Sequence, residues 1–100
     1  MSGYPAHAHA AQILENLKEA AAKASGDIKA KIEQAMAELD PIKDNRTFMR
    51  TQKAERITEA VLADSEALKS NPADAEKLAA IASEISVLVE RVRTMVIRMT

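Results

Sequence analysis

The most regular pattern of apolar positions lies near the C-terminus. Leu78, Ile81, Ile85, Leu88, Val92, Met95 and Met99 recur at spacings of 3, 4, 3, 4, 3 and 4. That is the a/d seam of a coiled coil, sustained over three heptads. Ala82, Val89 and Val96 repeat every seven residues beside it and widen the stripe to the breadth of a bundle-core face. Ahead of the stripe stands "NPAD". Asn71 is placed to cap, Pro72 suits a first helical position, and Asp74 falls at the third. There a carboxylate meets open N–H groups and the positive end of the helix dipole. The pattern predicts a helix over 72–99, about 42 Å long at about 1.5 Å per residue.

Three further segments have helical periodicity. Ala10, Leu14, Leu17, Ala21 and Ala24 form one stripe behind Pro5, predicting a helix over 6–25. Gly26 reads as the residue just past its end and Asp27 as the next N-cap. The stripe changes phase there, to Ile28, Ile32, Ala35 (or Met36) and Leu39, which predicts a second helix over 27–40. Pro41, in "LDPIKDN", disfavours helix at Asp40 and can open a third helix over 42–70. That helix has a weaker stripe: Ile42, Met49, Ala54, Ile57, Val61 and Leu68, with Asp64 in an inward phase. A polar group at a seam costs stability and can fix register or partner choice; the plainer reading is that it tilts to the edge of the core. The expected architecture is one all-α domain spanning 1–100. It is an elongated antiparallel bundle of four helices, or of three long ones if the first two run continuously through Gly26.

Composition agrees with this class. Of 47 % apolar residues, twenty are alanine; only Tyr4 and Phe48 are aromatic, and Gly and Pro together number five. A β-protein of this size needs more β-branched, aromatic and turn residues. The formal net charge of -1 gives no global attraction to nucleic acid or anionic membrane. The absence of cysteine excludes disulfides, zinc–thiolate sites and thiol catalysis. "MSGYPAHAHAA" lacks a basic segment followed by an apolar one. No uncharged apolar run approaches the roughly 20 residues of a membrane-spanning helix. A cytoplasmic location is expected, with export that bypasses a conventional signal peptide as the alternative.

Catalytic chemistry finds few ingredients. His7 and His9 are the only histidines. At i and i+2 they point to opposite sides of a helix and share a face only in an extended segment. As metal ligands they lack a third His or a Cys, so they read as solvated side chains, and no metal or cofactor is expected. No Glu begins a Glu-x-x-His pair of the di-metal bundle type. No triad can be assembled, and no glycine-rich loop could cradle phosphate. The chain is expected not to be an enzyme and to have no catalytic residues. Glu19 with Lys23, Asp27 with Lys31, and Lys29 with Glu33 have the spacing of surface ion pairs.

Two features point to partners. Lys43, Arg46, Arg50 and Lys53 are spaced 3, 4 and 3, with Arg56 following. On a helix they form a basic stripe that could meet phosphate or an acidic protein patch; otherwise they form a solvated face beside the acidic fourth helix. Residues 43–56 hold five basic and two acidic residues, whereas 59–90 hold seven acidic and two basic. The second feature is a surplus of apolar side chains on the last helix. Val87 and Ile97 fall outside its core stripe. Leaving both in water forgoes roughly 3–6 kcal/mol at about 1.5–3 kcal/mol each. The expected partner interface is Val87, Val89, Val92, Val96, Ile97 and Met99.

The "NPAD" opening followed by a long aliphatic seam without aromatics is similar in style to the C-terminal helix of type III secretion needle and inner-rod subunits. The likeness spans residues 66–100; the two additional N-terminal helices depart from that pattern. It implies a small helical hairpin that polymerises, as a subunit or chaperone of a bacterial secretion apparatus. Read from the residues themselves, the expected function is protein–protein association, with self-association through the last helix. A small nucleic-acid-binding bundle using the basic stripe is the alternative.

Overall fold

The structure, a computed structural model, describes the backbone of residues 5–99 and the side chains of residues 5–95. Among these residues there are four α-helices and no strand: α1 Pro5–Lys23, α2 Gly26–Leu39, α3 Gln52–Ser70 and α4 Ala75–Met99. The molecule is an elongated all-α bundle of 41 × 27 × 18 Å.

Gly26 breaks the first helical pair. Its φ is +58°, a left-handed conformation that side chains with a Cβ resist. Ser25 immediately before it is extended (φ −148°, ψ 167°). A continuous first helix through Gly26 is thereby excluded, and α1 and α2 fold back on each other.

Each helix reverses the direction of the one before it, but the helices do not circle the bundle in chain order. α1 makes its most extensive contacts with α3, and α2 packs on α1 and on α4. A ladder of side-chain hydrogen bonds sets the α1–α3 direction. His9 Nδ1 lies 3.0 Å from Thr58 Oγ1, Asn16 Nδ2 donates to Ser65 Oγ at 3.0 Å, and Lys23 Nζ donates to the Lys69 carbonyl at 2.9 Å. The partners rise together along both helices, so α1 and α3 are parallel neighbours. By the same alternation, α2 and α4 are the other parallel pair.

The α3 seam shows why. The buried α3 positions are Ala54, Thr58, Val61, Ser65 and Leu68, spaced 4, 3, 4 and 3. Thr58 and Ser65 occupy the places where the sequence stripe put Ile57 and Asp64. A hydroxyl is inexpensive to bury because it can donate to its own helix. Thr58 Oγ1 donates to the Ala54 carbonyl at 2.8 Å and Ser65 Oγ to the Leu62 carbonyl at 2.8 Å. Each oxygen keeps a lone pair for α1. A buried carboxylate has no such outlet. Asp64 lies at the edge, its side chain 23 % exposed, 3.4 Å from Lys77 Nζ. α1 is matched to this arrangement: Ala6, Ala10, Ile13, Asn16, Leu17, Ala20 and Ala21 are buried. Ile13 takes the core place assigned to Leu14, which is half-buried.

The third helix begins ten residues later than its predicted start at 42. Asp40–Ile42 and Phe48–Arg50 are short 3₁₀ turns. Asn45 Oδ1 accepts from the amides of Thr47 at 3.0 Å and Phe48 at 2.8 Å, which locks the chain in a turn. Thr51 is the true N-cap, its Oγ1 accepting from the Ala54 amide at 3.1 Å. This connection seats Phe48 and Met49 in the core. α4 also starts three residues later than predicted. Asn71–Asp74 is a turn closed by the Asp74 amide on the Asn71 carbonyl at 3.1 Å. Asp74 itself is the cap, its Oδ1 accepting from the Lys77 amide at 3.1 Å. Pro72 therefore serves the turn and not the first turn of the helix. From Leu78 to Val92 the seam is buried as its spacing predicts, and Met95 is half-buried.

Candidate interaction surface

α2 and α4 differ in length. α2 has 14 residues and α4 has 25, about 21 Å against about 37 Å. A groove of about 480 Å³ separates these parallel neighbours, with Ile28, Ala35, Leu78, Ala79 and Ala82 among its lining. Ser86 is the last α4 residue to line it. Ala82, read from its spacing as part of the core stripe, is exposed and lines this groove. Beyond Ser86 a shallow recess is lined by Ser83, Ser86, Val87, Glu90, Arg91 and Thr94, all from α4. Val87, at 37 % exposure, is the large hydrophobic side chain that remains exposed among the described residues.

The six expected interface residues therefore separate. Val87 is on the surface. Val89 is half-buried against the core. Val92 is core, at 8 % exposure, and is not available to a second chain; its seam spacing already placed it there. The side chains of Val96, Ile97 and Met99 lie outside the described residues.

The basic stripe does not form on a helix. Lys43 is in a turn, Arg46 in the loop, Arg50 at the end of a 3₁₀ turn and Lys53 in the first turn of α3. Pro41, Asn45 and Thr51 hold this stretch in successive turns, so a spacing of 3, 4 and 3 no longer aligns side chains. Lys43 is also engaged. Its Nζ is 2.9 Å from Asp40 Oδ1 and 3.6 Å from Asp44 Oδ2. The hydrogen bond to Asp40 is the main cause that raises its pKa above the ordinary lysine value of 10.5. A raised pKa in the folded state means that this contribution is complete below the ordinary value and lost as pH rises through the folded one.

His7 and His9 are half-buried and hydrogen-bonded, not freely solvated. His7 Nδ1 is 2.9 Å from the Lys43 carbonyl and 3.2 Å from Asp44 Oδ1. A carbonyl only accepts, so this ring carries a proton on Nδ1. The Thr58 hydroxyl proton is committed to its own helix, so His9 Nδ1 is likewise the donor to Oγ1. The two rings tie α1 to different elements, the connection and α3, and do not converge. Among the described residues no group of three or more His, Asp or Glu is arranged to hold a metal ion. None of the three surface pairs predicted from spacing is an ion pair; Lys23 reaches the Lys69 carbonyl instead. No helix among the described residues is long and apolar enough to cross a membrane.

The polar ladder between α1 and α3, with its buried Asn16–Ser65 rung, has no counterpart among the features expected from the sequence. Its signal was available: His9 and Asn16 are seven apart, as are Thr58 and Ser65. Comparison of the chain with protein families, with characterised proteins and with solved structures found no match.

Proposed function

We propose that this chain is a non-catalytic helical module that acts through protein–protein association. Its contact surface is the outer face of α4 around Val87, and its partner is a second copy of the chain. The observation that carries this reading is Val87, exposed at the midpoint of α4 in a shallow recess lined by α4 residues alone. Around Val87 the side chains of Ser83, Ser86 and Thr94 are short, so another helix can approach closely.

The association is weak and reversible. From Glu76 to Thr94 the strip is about 27 Å long and about 10 Å wide. A second helix laid on it hides about 300 Å² per chain, well below the roughly 1,200 Å² total of a stable complex. A dissociation constant on the order of 0.1–1 mM fits this surface, equivalent to about −4 to −5.5 kcal/mol.

The test is a dilution series followed by ¹H–¹⁵N NMR. Concentration-dependent shifts should cluster on Ser83, Val87, Glu90, Arg91 and Thr94 and disappear in Val87→Lys, whose fold is unchanged because the side chain is already at the surface. Shifts that cluster elsewhere, or that survive Val87→Lys, would remove this surface from consideration.

A further inference from the structure

Charge along α4 specifies how two copies would lie against each other. Around the helix axis, Ala80 and Thr94 fall within about 20° of Val87 at about 100° per residue. Glu84 and Arg91 fall on the flank facing α3, the side on which Lys77 meets Asp64. Ser83 and Glu90 fall on the opposite flank, toward the α2 groove that Ser86 lines. Along the axis, Glu84 precedes Val87 by about 4.5 Å and Arg91 follows it by about 6 Å.

We infer that two copies pair α4 against α4 in antiparallel orientation, about a two-fold axis at Val87. The inference rests on the self-association proposed above. A two-fold axis perpendicular to the plane of two antiparallel helices reverses their direction while keeping each flank on its own side. Val87 then meets Val87, Ala80 faces Thr94 of the other copy, and Glu84 faces Arg91 of the other copy, twice per dimer. Every contact is reciprocal, as an isologous interface requires. Neither Glu84 nor Arg91 has an ion-pair partner among the described residues of its own chain, so the dimer provides one for both. The helix dipoles also oppose each other in this arrangement. A parallel pair would set Arg91 against Glu90 of the other copy, a carboxylate already 3.4 Å from Arg93 in its own chain. It would leave Glu84 opposite Ser83.

Charge exchange tests this directly by sedimentation equilibrium of the full chain. Glu84→Arg alone sets two guanidinium groups against each other at both symmetry-related contacts. Arg91→Glu alone sets two carboxylates together at both. Each variant should dimerise roughly ten- to thirtyfold more weakly than wild type, as expected for reversing two exposed pairs. An equimolar mixture of the two variants should recover near wild-type affinity. In that heterodimer one contact keeps the native Glu84–Arg91 pair, and the other holds the same pair with its charges exchanged. Thermal melts of each variant identify any loss of fold, and recovery in the mixture requires both variants to be folded. A mixture no tighter than the separate variants, while wild type dimerises, overturns the antiparallel arrangement and leaves self-association standing. A wild type that does not dimerise overturns both.

Discussion

Deleting the Ser65 hydroxyl is the sharpest probe of the α1–α3 ladder. Asn16 and Ser65 are both fully buried. Asn16 Nδ2 donates to Ser65 Oγ at 3.0 Å, and Asn16 Oδ1 accepts from Gln12 Nε2 at 3.0 Å. Ser65→Ala leaves the Asn16 amide without its acceptor in a site closed to water. An orphaned buried donor costs about 1–3 kcal/mol. Alanine returns up to about 0.7 kcal/mol of helix propensity, so the net loss should be about 1–2 kcal/mol. Asn16→Leu in the same background removes the orphan and fills its place with apolar volume. Replacing both partners of a buried polar pair by apolar groups is nearly neutral or stabilising. The two substitutions should therefore couple by at least about 1 kcal/mol, well beyond the roughly 0.3–0.5 kcal/mol scatter of independent sites. Urea denaturation of the four proteins, followed by circular dichroism, measures the cycle. At a slope of about 1.5 kcal/mol per molar, Ser65→Ala should lower the midpoint by about 1 M. Additive effects, or a neutral Ser65→Ala, would refute the account of the ladder as a coupled pair.

Other substitutions test the local devices one at a time. Gly26→Ala meets no atom within 4 Å of the new Cβ, so its cost is backbone strain alone, about 1–2 kcal/mol; Gly26→Asn should lose less, and a thermal melt ranks the three. Thr51→Ala removes the α3 cap and should cost about 0.5–2 kcal/mol in urea denaturation, with Thr51→Ser retaining most of it. Met49 is fully buried at the end of the bundle, so Met49→Ala should cost about 2–5 kcal/mol by the same assay. Asp64→Ala breaks a partly exposed pair and should change stability by at most about 1 kcal/mol, with a smaller effect in high salt.

Much of the fold is legible in the sequence because its period is strong and its breakers are few. The α4 seam from Leu78 to Val92 is buried as spaced, and the chain breaks between α1 and α2 at Gly26, although Ser25 and not Asp27 is the N-cap of α2 and Gly26 is its first residue. Sequence and structure part where a residue type has two uses. Pro41 and Pro72 suit the first turn of a helix, yet each sits in a turn that precedes one; Thr51 and Asp74, whose side chains reach the open amides, mark the starts. On α3 the apolar period runs through Ile57, but the core takes Thr58 and Ser65, since a hydroxyl that bonds its own helix is cheap to bury and a carboxylate such as Asp64 is not. Val87 stands out in the sequence because it leaves the seam. The difference in length between α2 and α4 is legible too, in helices expected over 27–40 and 72–99. The turns of the connection, which delay α3 to Gln52, are not, because no apolar period marks them.

The most direct measurement is sedimentation equilibrium of the wild-type chain, from low micromolar concentration to about 1 mM, bracketing the affinity expected of so small an interface. The account predicts a reversible monomer–dimer equilibrium within that range, and monomer alone for Val87→Lys. A wild type that stays monomeric throughout would contradict it.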